Sequence, residues 1–292
     1  MFKLLSCSLL FLLLLPKANG QDSLSNEQRN LRNIQLYGGI GYGVTLVALS
    51  QTWYADKGFE SFKFFNDNAE WKQMDKVGHI YSTYHLSRIG NALLQKTDLT
   101  RSKALWWSSA TATAILLPIE ILDGFSPDFG FSYGDMIANA VGSGFFLGQE
   151  LLWKEQRIKL KFSFHQTSLA PQRPGLLGEN IFEQILKDYN GQTYWLSADL
   201  HAFLGKKNFP KWLNLAIGYG AQDMIFARDN QNEAAGFSPF RQLYLGIDFD
   251  LSHIKTNKRW LKTLLFIADG IRIPAPTLSF GGGKTRGHFL YY

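Results

Sequence analysis

The stretch "IKLKFSF", residues 158–164, alternates apolar and polar side chains without a break, a period of two that suits a strand and not a helix. The same period returns in "YWLSADLHAFL" (194–204), "WLNLAIGYG" (212–220) and "LYLGIDFDL" (243–251), so these read as half-buried strands. A short helix is expected over 179–187 and an amphipathic one over 259–268, after which Pro274 and Pro276 stop any helix. Upstream of residue 157 the pattern changes. Four apolar segments, 34–52, 74–95, 104–122 and 133–153, are each about 20 residues long, near the length of a membrane-crossing helix. The expected fold is therefore α+β: a bundle of about four apolar helices over residues 21–156, then an antiparallel β-rich half over 157–292. Five or six strands fall short of the eight in the smallest closed membrane barrel. The sheet is then a partial or small barrel closing on the helical half, or an ordinary envelope domain.

The first 20 residues, "MFKLLSCSLLFLLLLPKANG", carry Lys3, an apolar run of about a dozen residues and a small-residue end, the pattern of a secretory signal peptide. A lipid anchor at Cys7 is disfavoured, because the apolar run follows that cysteine instead of preceding it. Cys7 is also the only cysteine, so a processed chain has no disulfide and no thiolate chemistry. From Arg157 onward 17 Lys and Arg stand against 10 Asp and Glu, while the net charge of the whole chain is +6. In an exported protein that basic half suits anionic lipid or lipopolysaccharide, and nucleic acid is not an expected partner. An aromatic content of 15% with eight tryptophans fits a protein that meets lipid headgroups.

The apolar helices nonetheless carry charge. Asp75 and His79 are four apart on one helix, as are Asp135 and Asn139 on another, and Glu120 and Asp123 are three apart on a third. An unpaired carboxylate among apolar side chains costs several kcal/mol, so these groups are expected to meet near the helix ends. The candidate functional cluster is Asp75, Lys76, His79, Glu120, Asp123, Ser132, Asp135 and Asn139, with Ser132 also the natural N-cap of the last helix. Three roles compete for it: a structural charge network, an acid–base site acting on a lipid or glycan, and a binding site for a lipid or ion. No cofactor is expected, and no metal site is assigned, because paired His or Cys spacing is absent. Small residues (Gly38, Gly39, Gly41 and Gly43 on the first helix; Gly142, Ser143, Gly144 and Gly148 on the last) are expected to let helix backbones approach closely. "FGGGKT" (280–285) lacks the first glycine of a phosphate loop and reads as a turn.

The set Asp75-Lys76-x-x-His79, Gly90, Glu120-x-x-Asp123 and Phe131-Ser132-x-x-Asp135-x-x-x-Asn139-x-x-Gly142 resembles the YfiM-type family of bacterial envelope lipoproteins, a domain of unknown function. It is more distantly similar to the VanZ-like membrane family. The likeness covers roughly Asp75 to Gly148, and the longer arrangement resembles the Bacteroidetes form with an envelope-specific extension. Neither family implies a reaction, so the matching residues inherit only the status of a signature.

The expected function is that of a non-enzymatic envelope membrane protein in envelope assembly or lipid interaction. A lipid- or glycan-modifying membrane enzyme is the alternative. Membrane lipid, lipopolysaccharide and other envelope proteins are the expected partners. The alternating strands and the aromatic C-terminus favour the outer membrane, and an inner-membrane protein with a periplasmic C-terminal half is the other arrangement.

Overall fold

The computed structural model describes residues 25–54, 58–205 and 209–291, and the side chains of residues 49 and 52–54 are not described; the signal-peptide segment, 1–20, lies outside the described residues. Helix α1 spans Asn26–Tyr54, α2 Met74–Leu94, α3 Arg101–Gly124 and α4 Tyr133–Leu152, and a 3-10 turn, Glu70–Gln73, leads into α2. In the second half β1 (Ile158–Phe164) is followed by α5 (Pro174–Leu177), α6 (Ile181–Lys187), β2 (Gln192–Asp199) and α7 (Leu200–Leu204). Then come β3 (Leu213–Gln222), α8 (Asp229–Ala234), β4 (Phe240–Phe249), α9 (Arg259–Ala268), β5 (Ala275–Gly281) and β6 (Lys284–Tyr291). The fold is α+β, with helices first and a six-stranded antiparallel meander in the order β1 to β6.

Caps explain where the helices begin. The Thr100 hydroxyl accepts from the Lys103 backbone N–H at 3.4 Å and the Ser132 hydroxyl from that of Asp135 at 3.1 Å, each satisfying an amide the first turn leaves free. The expected strand 194–204 ends instead at Asp199, because the Asp199 carboxylate accepts from Ala202 N–H at 3.0 Å and turns the next five residues into α7. "FGGGKT" is the β5–β6 hairpin turn, with Gly282 and Gly283 at φ 57° and 70°.

Helices α2, α3 and α4 pack on one another, and α2 lies against the outside of β1 and β2. Glycine mediates this only in places. A Cβ on Gly142 would meet the Ile80 carbonyl oxygen and Thr83 Oγ1 at 2.2 Å each, so α4 touches α2 there backbone to backbone. The expected close approach at Gly38, Gly39, Gly41, Gly43, Gly144 and Gly148 is not found: nothing lies within 4 Å of a Cβ built at any of them. Helix α1 leans across α2 and α3 with Tyr42 Oη donating to the Ile115 carbonyl at 2.6 Å, and it leaves Leu36, Tyr37, Ile40, Val44 and Val47 exposed. Among the described residues one helix, α3, is long and apolar enough to cross a membrane, fewer than the four segments suggested.

The sheet curls on itself. Lys161 of β1 and Asp248 of β4, on strands that are not neighbours, meet at 2.6 Å with neither side chain exposed. The free edge of β1 is taken by the segment before β5: Phe162 N–H donates to the Gly270 carbonyl and Arg272 N–H to the Phe162 carbonyl, both at 2.9 Å. In β1 to β5 most polar positions point inward. Ser197 donates to Asp248 at 2.6 Å, Asn214 to Ser197 at 3.0 Å, Trp195 Nε1 to Ser163 at 3.0 Å, and the Arg272 guanidinium lies 3.8 Å from the Trp195 ring centroid. The apolar positions point outward. Leu215, Ile217, Leu243, Leu245, Ile247, Leu278 and Phe280 are all exposed, and α2 covers part of that face, through Tyr81 against Phe162 and Tyr194 and through Met74 against Tyr219.

Candidate functional site

The polar residues of α2, α3 and α4 come together at one end of the helical layer. Asp75 and Lys76 sit in the first turn of α2 with His79 one turn further in, Asp135 in the first turn of α4 with Asn139 one turn on, and Glu120 in the last turns of α3. Because α3 runs antiparallel to its neighbours, the end of one helix meets the beginnings of the other two, which is why the sequence can separate these residues widely and still join them.

Lys76 Nζ lies 2.6 Å from Asp135 Oδ1, 2.7 Å from Asp67 Oδ2 and 3.2 Å from Asp75 Oδ2. His79 occupies the other side. Its Nε2 is 3.7 Å from a carboxylate oxygen of Asp75, of Glu120 and of Asp135, and its Nδ1 is 2.9 Å from Asn139 Oδ1. Glu120 is 1% exposed and Asn139 fully buried. The Asn139 amide nitrogen has no protein partner. Ser132 donates to Asp67 Oδ1 at 2.7 Å while capping α4, so it serves both the helix and the cluster. Asp123 is half-buried one turn beyond Glu120, and its charge acts on that carboxylate.

Of the candidate residues, Asp75, Lys76, His79, Glu120, Ser132, Asp135 and Asn139 are joined directly or through one another, and Asp123 stands at the edge. Sequence reasoning missed Asp67, for which no motif exists, and Tyr189, whose hydroxyl donates to Asp75 Oδ1 at 2.9 Å from the far half of the chain. Burial, followed by the neighbouring Asp75 charge, pushes the Tyr189 phenol well above its usual range, so it remains a donor at any physiological pH. Around the rim Lys72 pairs with Asp229, and Arg228 with Glu70 at 3.0 Å. Burial raises the Glu70 carboxyl above its ordinary range despite that partner.

Two loops close this end. Phe65 N–H donates to Phe131 and Phe131 N–H to Lys63, and Phe64 stacks on Tyr133 with ring centroids 5.0 Å apart. Phe62 packs edge-on against Phe125 at 5.2 Å, and Gly124 is glycine because a Cβ there would strike the Phe62 ring at 2.3 Å.

A second polar centre lies where the sheet meets α2. Lys159 bonds Asp250 at 2.6 Å and Asp269 at 2.8 Å, Arg88 bonds Asp269 at 3.0 Å, and Lys161 bonds Asp248. Arg88 and His85 thus serve the helix–sheet junction and not the first cluster, His85 Nε2 meeting the Leu160 carbonyl at 2.8 Å.

No curated protein and no solved structure matches the chain with significance. Residues 62–148, which hold the first cluster and both closing loops, match the model of a family described as predicted periplasmic lipoprotein, DUF2279. That match covers less than a third of the chain and supports an exported cell-envelope protein with no assigned activity.

Proposed function

We propose that this chain is a non-enzymatic envelope protein seated in the outer membrane, its helices and strands sharing one lipid-facing band. The observation that carries the reading is the reversed alternation of the sheet. In a water-soluble sheet the apolar side of each strand turns to the core. Here Lys161, Ser197, Asn214 and Asp248 are buried, whereas Ile217 is 55% and Leu243 52% exposed. Polar inside and apolar outside is the arrangement of strands surrounded by hydrocarbon.

The helical layer agrees with it. The outward face of α4 presents Tyr133, Ile137, Val141, Leu151 and Leu152 without a charge. Exposed aromatic rings mark both ends of the band: Phe59, Phe64 and Tyr133 beside the polar cluster, Trp106, Trp107 and Trp212 at the opposite end. Strands β3 and β4 have ten residues each, the length a tilted strand needs to cross a bilayer core. The basic excess after Arg157 suits contact with anionic headgroups or lipopolysaccharide.

Separation of membranes by density, followed by alkaline carbonate and urea washes, tests the reading. The protein is expected in the outer-membrane fraction and in the pellet after both washes. Release into the wash, or recovery at inner-membrane density, would contradict it.

A further inference from the structure

We propose that the helix-end cluster is a binding site for a divalent transition-metal ion, with His79, Asp75 and Asp135 as its ligands and the Glu120 carboxylate beside them. The argument begins with the ring of His79. Asn139 presents its amide oxygen to Nδ1 at 2.9 Å, so Nδ1 carries the hydrogen and Nε2 of the neutral ring offers its lone pair to the other side. There it faces three carboxylate oxygens, from Asp75, Glu120 and Asp135, each at 3.7 Å.

That distance decides between the cations that could sit between them. A shared proton would draw nitrogen and oxygen to about 2.7–2.9 Å. Ligands held about 2.0–2.2 Å from a common ion at tetrahedral angles stand roughly 3.3–3.6 Å apart. The Asp75, His79 and Asp135 ligand atoms all lie within 4.8 Å of one another, so they converge on one point.

Charge gives the second reason. Among the described residues Lys76 is the one lysine or arginine bound to Asp67, Asp75, Glu120 or Asp135. Even with Lys76 in place, a site this buried is short of positive charge, and a divalent ion would supply it. Asn139 is a third, independent observation. It is fully buried, its oxygen orients His79 as an outer-shell partner orients a ligating histidine, and its Nδ2 has no protein partner. One nitrogen with carboxylate oxygens suits zinc, manganese or ferrous iron better than magnesium or calcium. A second acid–histidine group, Asp199, Asp250 and His253, lies at the charge-matched helix–sheet junction and serves as the control.

Full-length protein in detergent, stripped with chelator, is titrated with Zn²⁺ and with Mn²⁺ by calorimetry, and thermal unfolding is followed with and without each ion. One ion per chain is expected for at least one metal, with a rise in Tm that is lost in His79→Ala and weakened at least tenfold in Asp135→Asn, while Asp250→Asn binds as the unaltered protein does. The Asp135→Asn variant keeps the side-chain volume, so its loss of affinity does not depend on a folding defect. Absence of stoichiometric binding of both metals by the unaltered protein overturns the proposal, as does binding of equal strength in a folded His79→Ala variant. Neither result bears on the membrane reading, which the fractionation decides separately.

Discussion

The two polar centres of this molecule solve the same problem with opposite charge arithmetic. Where sheet meets helix, Lys159, Lys161 and Arg88 face Asp248, Asp250 and Asp269, three cations bonded to three carboxylates. At the helix end a single lysine faces four. The balanced centre needs nothing from outside and ties β1, β4, α9 and α2 together. The unbalanced one is the proposed cation site. Both withdraw charge from the outward face, which is why a chain with 30 Lys and Arg and 24 Asp and Glu can still present an apolar band.

The largest expected effect breaks the balanced centre. Lys161→Met leaves Asp248 buried without its partner and should cost about 3–5 kcal/mol of stability. Adding Asp248→Leu removes the stranded charge, and most of that loss should return. Reversible unfolding of the two variants measures this; a double variant as unstable as the single would show that the pair is not the unit proposed. At the other centre the same class of change should act oppositely. With no metal bound, Glu120→Gln removes surplus negative charge and is expected to leave stability unchanged or slightly raised, whereas Asp248→Asn lowers it.

The outward apolar side of the sheet gives the next effect. Ile217→Arg should cost about 2–4 kcal/mol if residue 217 faces the middle of a bilayer, measured by unfolding from lipid vesicles. Gly142→Ala, which drives a methyl group into the Ile80 carbonyl, should cost about 1–3 kcal/mol, and Gly144→Ala on the open face nothing or a small gain. Removing the α4 cap with Ser132→Ala is expected to cost about 1 kcal/mol.

The pH dependence separates the centres further. Burial opposes ionisation of Asp250, but the Lys159 ammonium more than offsets it and holds the carboxyl below its ordinary range. A carboxyl lowered by folding contributes stability above its unfolded value, near 4, and loses it as the pH falls through the folded value. Stability should therefore decline below about pH 4. Lys159→Met should flatten that decline.

Much of this was readable beforehand, and the reasons are physical. The change of period at Ile158 separates helices from strands because side-chain direction follows backbone geometry. Asp75, His79, Asp135 and Asn139 were found because spacing of four places residues on one face. Strand alternation, however, states only that the two faces differ. Which face is inside depends on closure of the sheet, set by contacts such as Phe162 with Gly270 and Lys161 with Asp248 that span 88 residues and more. Asp67 and Tyr189 reach the cluster through loops, where no period exists to announce them. The proposed ligand set of one histidine and two acids was equally hidden, since two helices contribute to it and no local spacing records their meeting.

The most direct test concerns the reversed face. Spin labels on cysteines placed singly at Ile217, Leu245 and Leu278, in protein reconstituted into lipid vesicles, report collisions with oxygen and with a water-soluble nickel complex. The account predicts high oxygen and low nickel accessibility at all three, and protection from both at Ala216. Greater access to nickel than to oxygen at the outward positions would contradict it.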